Sequence, residues 1–218
     1  MGAERVPADR QDRGGPLAWL RRHRLARLGL SGLTGLLALA AIGLLGYPLW
    51  TNLYHRHGEG GLAHQLATPA LRRAYVHHRV PTGASLTRIK IPAIGLNTVV
   101  VQGTTEAALR AGAGHYPSTP LPCTPGNVAI AGHRTTYGHP FANINRLRPG
   151  DRIEFDTPIG SCTYQVSRPP FSVRPTDLAV AANTPGRQTL TLTSCTPKGW
   201  ATHRIVVKAT GTAGKVAA

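Results

Sequence analysis

Three side chains far apart in the chain have the types needed for acyl transfer. Cys195 ends the run TLTLTSC and precedes Thr196-Pro197, so a thiol stands at a strand terminus just before a loop. His133 lies in AIAGHRTTYG, also just past an apolar strand, with Gly132 allowing close backbone approach. Arg204 opens RIVVKA, nine positions beyond Cys195. The attacking species would be a thiolate, and a thiol with its ordinary pKa near ~8.5 supplies little of it at neutral pH. A neighbouring imidazolium or guanidinium stabilises that anion. After attack on an amide carbonyl the oxyanion needs a donor, which a fixed Arg supplies. The leaving amine needs a proton, which a charged His supplies. No Asp or Glu lies close in sequence to His133, so a carboxylate third member is not evident. A buried, inert Cys is the alternative for the thiol alone.

Such groups must be held by rigid elements. From Pro81 onward short β-branched runs recur, each bounded by Gly, Pro or Asn: 86–91, 97–102, 127–131, 152–156, 162–173, 189–193 and 203–209. Seven or eight strands of this kind predict one closed or nearly closed barrel, mainly β. Helical patterning is scarce. Residues 105–111 form one short candidate with Thr104 or Thr105 as cap, 141–147 another, and 176–180 a turn. No internal repeat is visible.

Ahead of the barrel lies a different kind of segment. Residues 28–50 read LGLSGLTGLLALAAIGLLGYPLW, uninterrupted by charge. About 20 apolar residues in a helix cross the hydrocarbon layer of a bilayer, so this stretch predicts a transmembrane helix. It is too long for the core of a cleaved signal peptide and ends in Tyr-Pro-Leu-Trp rather than in small residues. Residues 1–27 carry seven basic against three acidic residues. Positive-inside then places this tail in the cytoplasm and the rest outside. Residues 51–80 are too polar for a core and read as a stalk, with a helical portion over roughly 62–76 able to pack on the domain.

The formal net charge is +16. Beyond Trp50 the chain carries eighteen basic and six acidic residues, dispersed and without a run of five. No aromatic signature for RNA interleaves with them, which argues against nucleic acid as a partner. The adjacent His77-His78, and His139 six positions after His133, lack a third ligand, so neither predicts a metal site. Of three cysteines, Cys123 and Cys162 either pair outside the cell, leaving Cys195 free, or remain two inert thiols. Tyr137 either lines the groove or shapes a turn. Trp200 either touches substrate or covers the barrel mouth.

At these residues the sequence resembles the sortases, the cysteine transpeptidases of Gram-positive surfaces, over roughly residues 81–210. The family's Thr-Leu-x-Thr-Cys strand corresponds to Thr191-Leu192-Thr193-Ser194-Cys195, its histidine strand-end to Gly132-His133-Arg134, and its arginine strand to Arg204-Ile205-Val206-Val207. The resemblance implies an eight-stranded sortase-type β-barrel with short helices behind an N-terminal transmembrane helix. It implies His133, Cys195 and Arg204 as the catalytic set. AGHRTTYGHPFANINRL and GAGHYPSTP look most like class E, the actinobacterial housekeeping group. In that class a tyrosine at the position of Tyr116 is associated with Leu-Ala-x-Thr-Gly over Leu-Pro-x-Thr-Gly signals. Its phenol would bond the backbone N–H that Ala has and Pro lacks. Ser194 stands where the family has Thr, and keeps a hydroxyl able to touch substrate.

The implied activity is cleavage of the Thr–Gly bond of a C-terminal sorting signal on a secreted protein, followed by transfer to the amine of a peptidoglycan precursor. The expected organisation is a basic cytoplasmic tail at 1–27, an anchor at 28–50, a stalk at 51–80, the catalytic domain at 81–212 and a tail at 213–218. A monomer is expected, single-pass in the cell membrane, with no cofactor and no metal. Glu106 and Asp177 are isolated, so no calcium cage is expected. Two rival readings are another wall-acting cysteine enzyme and a non-catalytic anchored scaffold. Papain-like signatures are absent, and His133 precedes Cys195, the reverse of the papain order.

Overall fold

The computed structural model describes residues 24–212, with backbone alone across 54–59. Most of the basic tail and all of the expected C-terminal tail lie outside the described residues. The chain divides into two compact units, the first ending at Tyr47 and the second beginning at Pro48. Helix α1 spans Arg24–Gln65. Its stretch Arg24–Leu53, of mean hydropathy 2.1, is long and apolar enough to cross a membrane.

Within the second unit, helix α2 (Pro69–Val76) starts at Thr68, whose hydroxyl accepts from Leu71 N, and has Pro at its first turn. Leu71 and Tyr75, four apart and therefore on one face, are buried in the barrel core, and Tyr75 Oη donates to Pro122 O at 2.7 Å. The end of α1 is fastened too, since Ser85 Oγ donates to Leu62 O at 2.6 Å. The latter half of the expected stalk is thus packed on the barrel.

The strands are β1 (Ser85–Ile91), β2 (Leu96–Gln102), β3 (Ala113–His115), β4 (Gly126–Ala131), β5 (Arg152–Thr157), β6 (Gly160–Val166), β7 (Phe171–Val173), β8 (Gln188–Thr196) and β9 (His203–Thr212). They run in the order β6-β5-β1-β2-β3-β4-β8-β9, and β6 pairs with β9 to close an eight-stranded barrel. Short β7 lies outside this ring, on the same edge of β9 that β6 uses further along. The run 162–173, read as one strand, is two, because Pro169-Pro170 deprive the chain of consecutive ladder donors.

Alternation places Val128 and Ile130 of β4, Leu190 and Leu192 of β8, and Ile205 and Val207 of β9 in the core. Helix α3 (Glu106–Ala111) is capped by Thr105, one of the two caps its sequence offers, while 141–147 and 176–180 yield only 3-10 turns at Ile144–Arg146 and Leu178–Ala181. Strand β3 had no β-branched signal. It depends instead on Gly114, where a Cβ would lie 2.4 Å from Gly103 O. Cys123 and Cys162 form a disulfide, their Cα atoms 5.5 Å apart, and Cys195 is free.

Candidate active site

The outer faces of β4, β8 and β9 form one surface. On β8 the outward positions are Thr189, Thr191, Thr193 and Cys195, alternating with the inward Leu190 and Leu192. Cys195 pairs directly with Arg204 across the β8–β9 hairpin. A direct antiparallel pair brings two Cβ atoms within about 5.5 Å. Arg204 Nη1 accordingly donates to Cys195 Sγ at 3.1 Å.

Strand β4 runs parallel to β8 with Ala131 opposite Thr193. The chain leaves β4 through Gly132, whose N–H donates to Thr193 O at 3.1 Å. His133 is the next residue. A pocket of about 320 Å³ is lined by His133, Cys195, Arg204, Tyr116, Thr193 and Ser194. All five sequence-predicted site residues therefore border one cavity. Ala131 and Gly132, with at most a methyl side chain, also line it. A Cβ on Gly132 would lie 2.7 Å from the Phe141 ring, so that ring requires a glycine there.

The His133 ring stacks obliquely on Tyr137, centroids 5.3 Å apart, and the Arg110 guanidinium lies over the Tyr137 ring at 5.5 Å. Tyr137 thus packs beside His133. Tyr116 Oη lies 3.2 Å from Thr193 Oγ1. Ser194 sits one position before Cys195 and so points the opposite way, and its hydroxyl donates to Gly132 O at 2.7 Å. That bond ties the cysteine strand to the histidine strand-end.

The sequence model for the Sortase domain matches residues 89–212, more than half of the chain. This chain belongs to the sortase family. It is 30% identical over 140 residues to Sortase SrtE1 of Streptomyces coelicolor, a match covering 57% of this chain and 40% of that relative. It therefore spans well under two thirds of that relative's length. Sortase E from Streptomyces avermitilis superposes with a TM-score of 0.56 at 34% identity, covering 61% of this chain and 91% of that one. A Sortase D5 transpeptidase of Clostridium perfringens superposes with a TM-score of 0.63 at 26% identity, covering 73% and 98%. The E-type relatives agree with the class E resemblance read from the sequence.

The structure of this sortase gives surroundings to residues that the sequence left without a settled role. Arg134 is buried beside the site, donating from Nε to Ala142 O and from Nη2 to Asn145 Oδ1, both at 2.9 Å. Burial lowers its proton affinity, and the nearby Cys195 sulfur partly offsets this. It staples the loop after His133 while placing a second guanidinium near the thiol. Thr193 was legible in principle, being two residues from Cys195 and therefore on its face. Asn52 of α1 accepts from Gly138 N at 3.0 Å and lies 3.3 Å from His139 Nδ1. His139 thus takes part in a loop contact. Trp200, 81% exposed, lies in the β8–β9 loop.

Proposed function

We propose that this chain is a membrane-anchored cysteine transpeptidase acting on sorting signals of the Leu-Ala-x-Thr-Gly type. The observation that carries the reading is the 3.1 Å donation from Arg204 to Cys195 Sγ at the mouth of a pocket that His133 also lines. The Cys195 thiolate adds to the Thr carbonyl, and Arg204 holds the resulting oxyanion. The carbon–nitrogen bond breaks as His133 delivers a proton to the Gly nitrogen, leaving a thioester. An amine, such as that of a peptidoglycan precursor, then attacks the thioester. His133 takes its proton, the new amide forms and the thiolate departs. Tyr116 presents its phenol oxygen to the substrate backbone N–H that separates Ala from Pro signals. Ser194 borders the same pocket.

Residues 28–50 anchor the protein, and the seven basic residues before them hold the 1–27 tail on the cytoplasmic side. Residues 51–80 connect this anchor to a catalytic domain at 81–212, outside the cell where secreted substrates emerge. The protein works as a monomer.

The test is incubation of the full chain in detergent micelles with a Leu-Ala-x-Thr-Gly peptide and hydroxylamine. The expected products are the Gly-terminal fragment and the Thr hydroxamate, both absent with Cys195→Ala. Equal turnover by Cys195→Ala rejects the assignment.

A further inference from the structure

The chain between β7 and β8, residues 174–187, walls the cleft that continues from the Cys195 pocket. Val180 and Ala181 face this cleft together with Tyr116, Thr193 and Arg204. Yet the 3-10 turn Leu178–Ala181 buries none of its residues, and Leu178 is 71% exposed. Apolar packing does not hold this wall.

Polar contacts from the barrel surface do. Thr191 and Lys208 are a direct cross-strand pair on the outer face of β8 and β9, and Ala129 of β4 pairs with Thr191 on its other side. Lys208 Nζ donates to Thr191 Oγ1 at 2.8 Å and to Val180 O. Thr191 Oγ1 donates to Asn127 Oδ1 at 2.8 Å. Asn127 Nδ2 in turn donates to Ala182 O at 2.9 Å and to Val180 O at 3.4 Å. Asn183 Oδ1 accepts from Asn127 N at 3.2 Å. Lys208 is half-buried and pairs with no carboxylate among the described residues, and such an ammonium group is costly unless its donors find acceptors. Here two acceptors are met, one of them the wall itself.

We propose that Lys208, Thr191 and Asn127 form a clamp that positions the 174–187 wall, making them positioning residues for peptide binding rather than catalytic residues. Thr191 lies four residues from Cys195 along β8, about 13 Å away in an extended strand. The clamp therefore acts on the peptide beyond the scissile bond and not on the thiol. The inference rests on the transpeptidase reading above, and its test separates the two.

The full chain and its Lys208→Met, Lys208→Arg and Thr191→Val variants are compared in three measurements. These are kcat and KM on the Leu-Ala-x-Thr-Gly peptide, Cys195 alkylation by iodoacetamide, and hydrogen exchange across 174–187. Met keeps the volume of Lys and removes the donor without stranding a charge. Lys208→Met should raise KM about tenfold with kcat within about twofold, the size of effect expected from losing one charged hydrogen bond. Alkylation should match the parent, and exchange in the wall should quicken about tenfold. Lys208→Arg, which still donates, should stay near the parent. If Lys208→Met does not fold, Thr191→Val is read by the same criteria. Unchanged wall exchange and KM, or a loss confined to kcat or alkylation, overturns the clamp. A parent that alkylates but never cuts peptide refutes the transpeptidase reading, while wall exchange still decides the clamp.

Discussion

Arg204 and Cys195 occupy one cross-strand position of the β8–β9 hairpin, and the guanidinium donates to the sulfur at 3.1 Å. The pair is held by ladder hydrogen bonds rather than by loops. Its geometry is therefore set before substrate arrives, which is the condition for electrostatic stabilisation of a developing anion. Replacing Arg204 by Gln should lower kcat roughly 100- to 1,000-fold while leaving the fold intact. Lys at the same position keeps the charge but loses the planar fork, and should fall between Gln and the parent. Steady-state kinetics on the peptide and the iodoacetamide rate of Cys195 check both. Parent-like values for Arg204→Gln would remove Arg204 from the mechanism.

Gly132→Ala tests how tightly the histidine strand-end is packed. The new Cβ would stand 2.7 Å from Phe141 Cδ2, and Phe141 N donates to His133 O at 3.1 Å. A moving ring therefore drags the His133 backbone. We expect about 1–3 kcal/mol of lost stability, read from urea midpoints, and a drop in kcat. Adding Phe141→Leu should restore part of both, because neighbouring changes are not additive.

Much of this site was legible in the sequence because its parts lie at strand ends. TLTLTSC and RIVVKA follow one another across residues 196–203, so an antiparallel pairing of the two runs brings Cys195 and Arg204 to the same end, and the observed register sets them side by side. His133 follows the apolar run of β4 for the same reason. What period-two alternation does not tell is which outward positions a loop will cover. In the sequence Lys208 is one of many dispersed charges, Thr191 part of the cysteine strand and Asn127 the start of a strand, and none of them announces the 174–187 wall that they hold. Arg134 read as part of a motif without a role, because its burial comes from a loop folding back. Leu71 and Tyr75 carried a usable signal, spaced four apart, that the polar residues around them masked. Pairing of Cys123 with Cys162 needed a distance that only the barrel supplies.

That disulfide joins residues separated by 39 positions, linking the segment before β4 to β6. In the chain-entropy account a loop of this size stabilises the fold by about 3–4 kcal/mol. Cys123→Ala with Cys162→Ala should lower the unfolding free energy by roughly that amount. Activity should persist below the new melting temperature, since Cys195 is not involved. Alkylation of the denatured, unreduced parent should label one thiol, and three after reduction. Three labels without reductant would show that the bridge is not formed.

His115 gives the fold a pH dependence of known sign. It is fully buried, with Nδ1 2.8 Å from Gln102 Oε1 and Nε2 2.9 Å from Pro120 O. Burial pushes its pKa down from 6.5 to about 4, partly countered by the Pro120 carbonyl. The folded protein thus binds this proton less readily than the unfolded chain does. As pH falls below about 6.5 the unfolded state gains a proton that the folded state refuses, and stability declines. The decline levels off near pH 4 and totals on the order of 3 kcal/mol, since each pH unit between the two values costs about 1.4 kcal/mol. His115→Gln keeps a donor and an acceptor but does not titrate. Its stability deficit relative to the parent, measured by urea unfolding from pH 8 to pH 4, should therefore shrink steadily below pH 6.5. A deficit constant across that range would mean that His115 titrates alike in the folded and unfolded chains, and so would contradict its burial as a neutral ring.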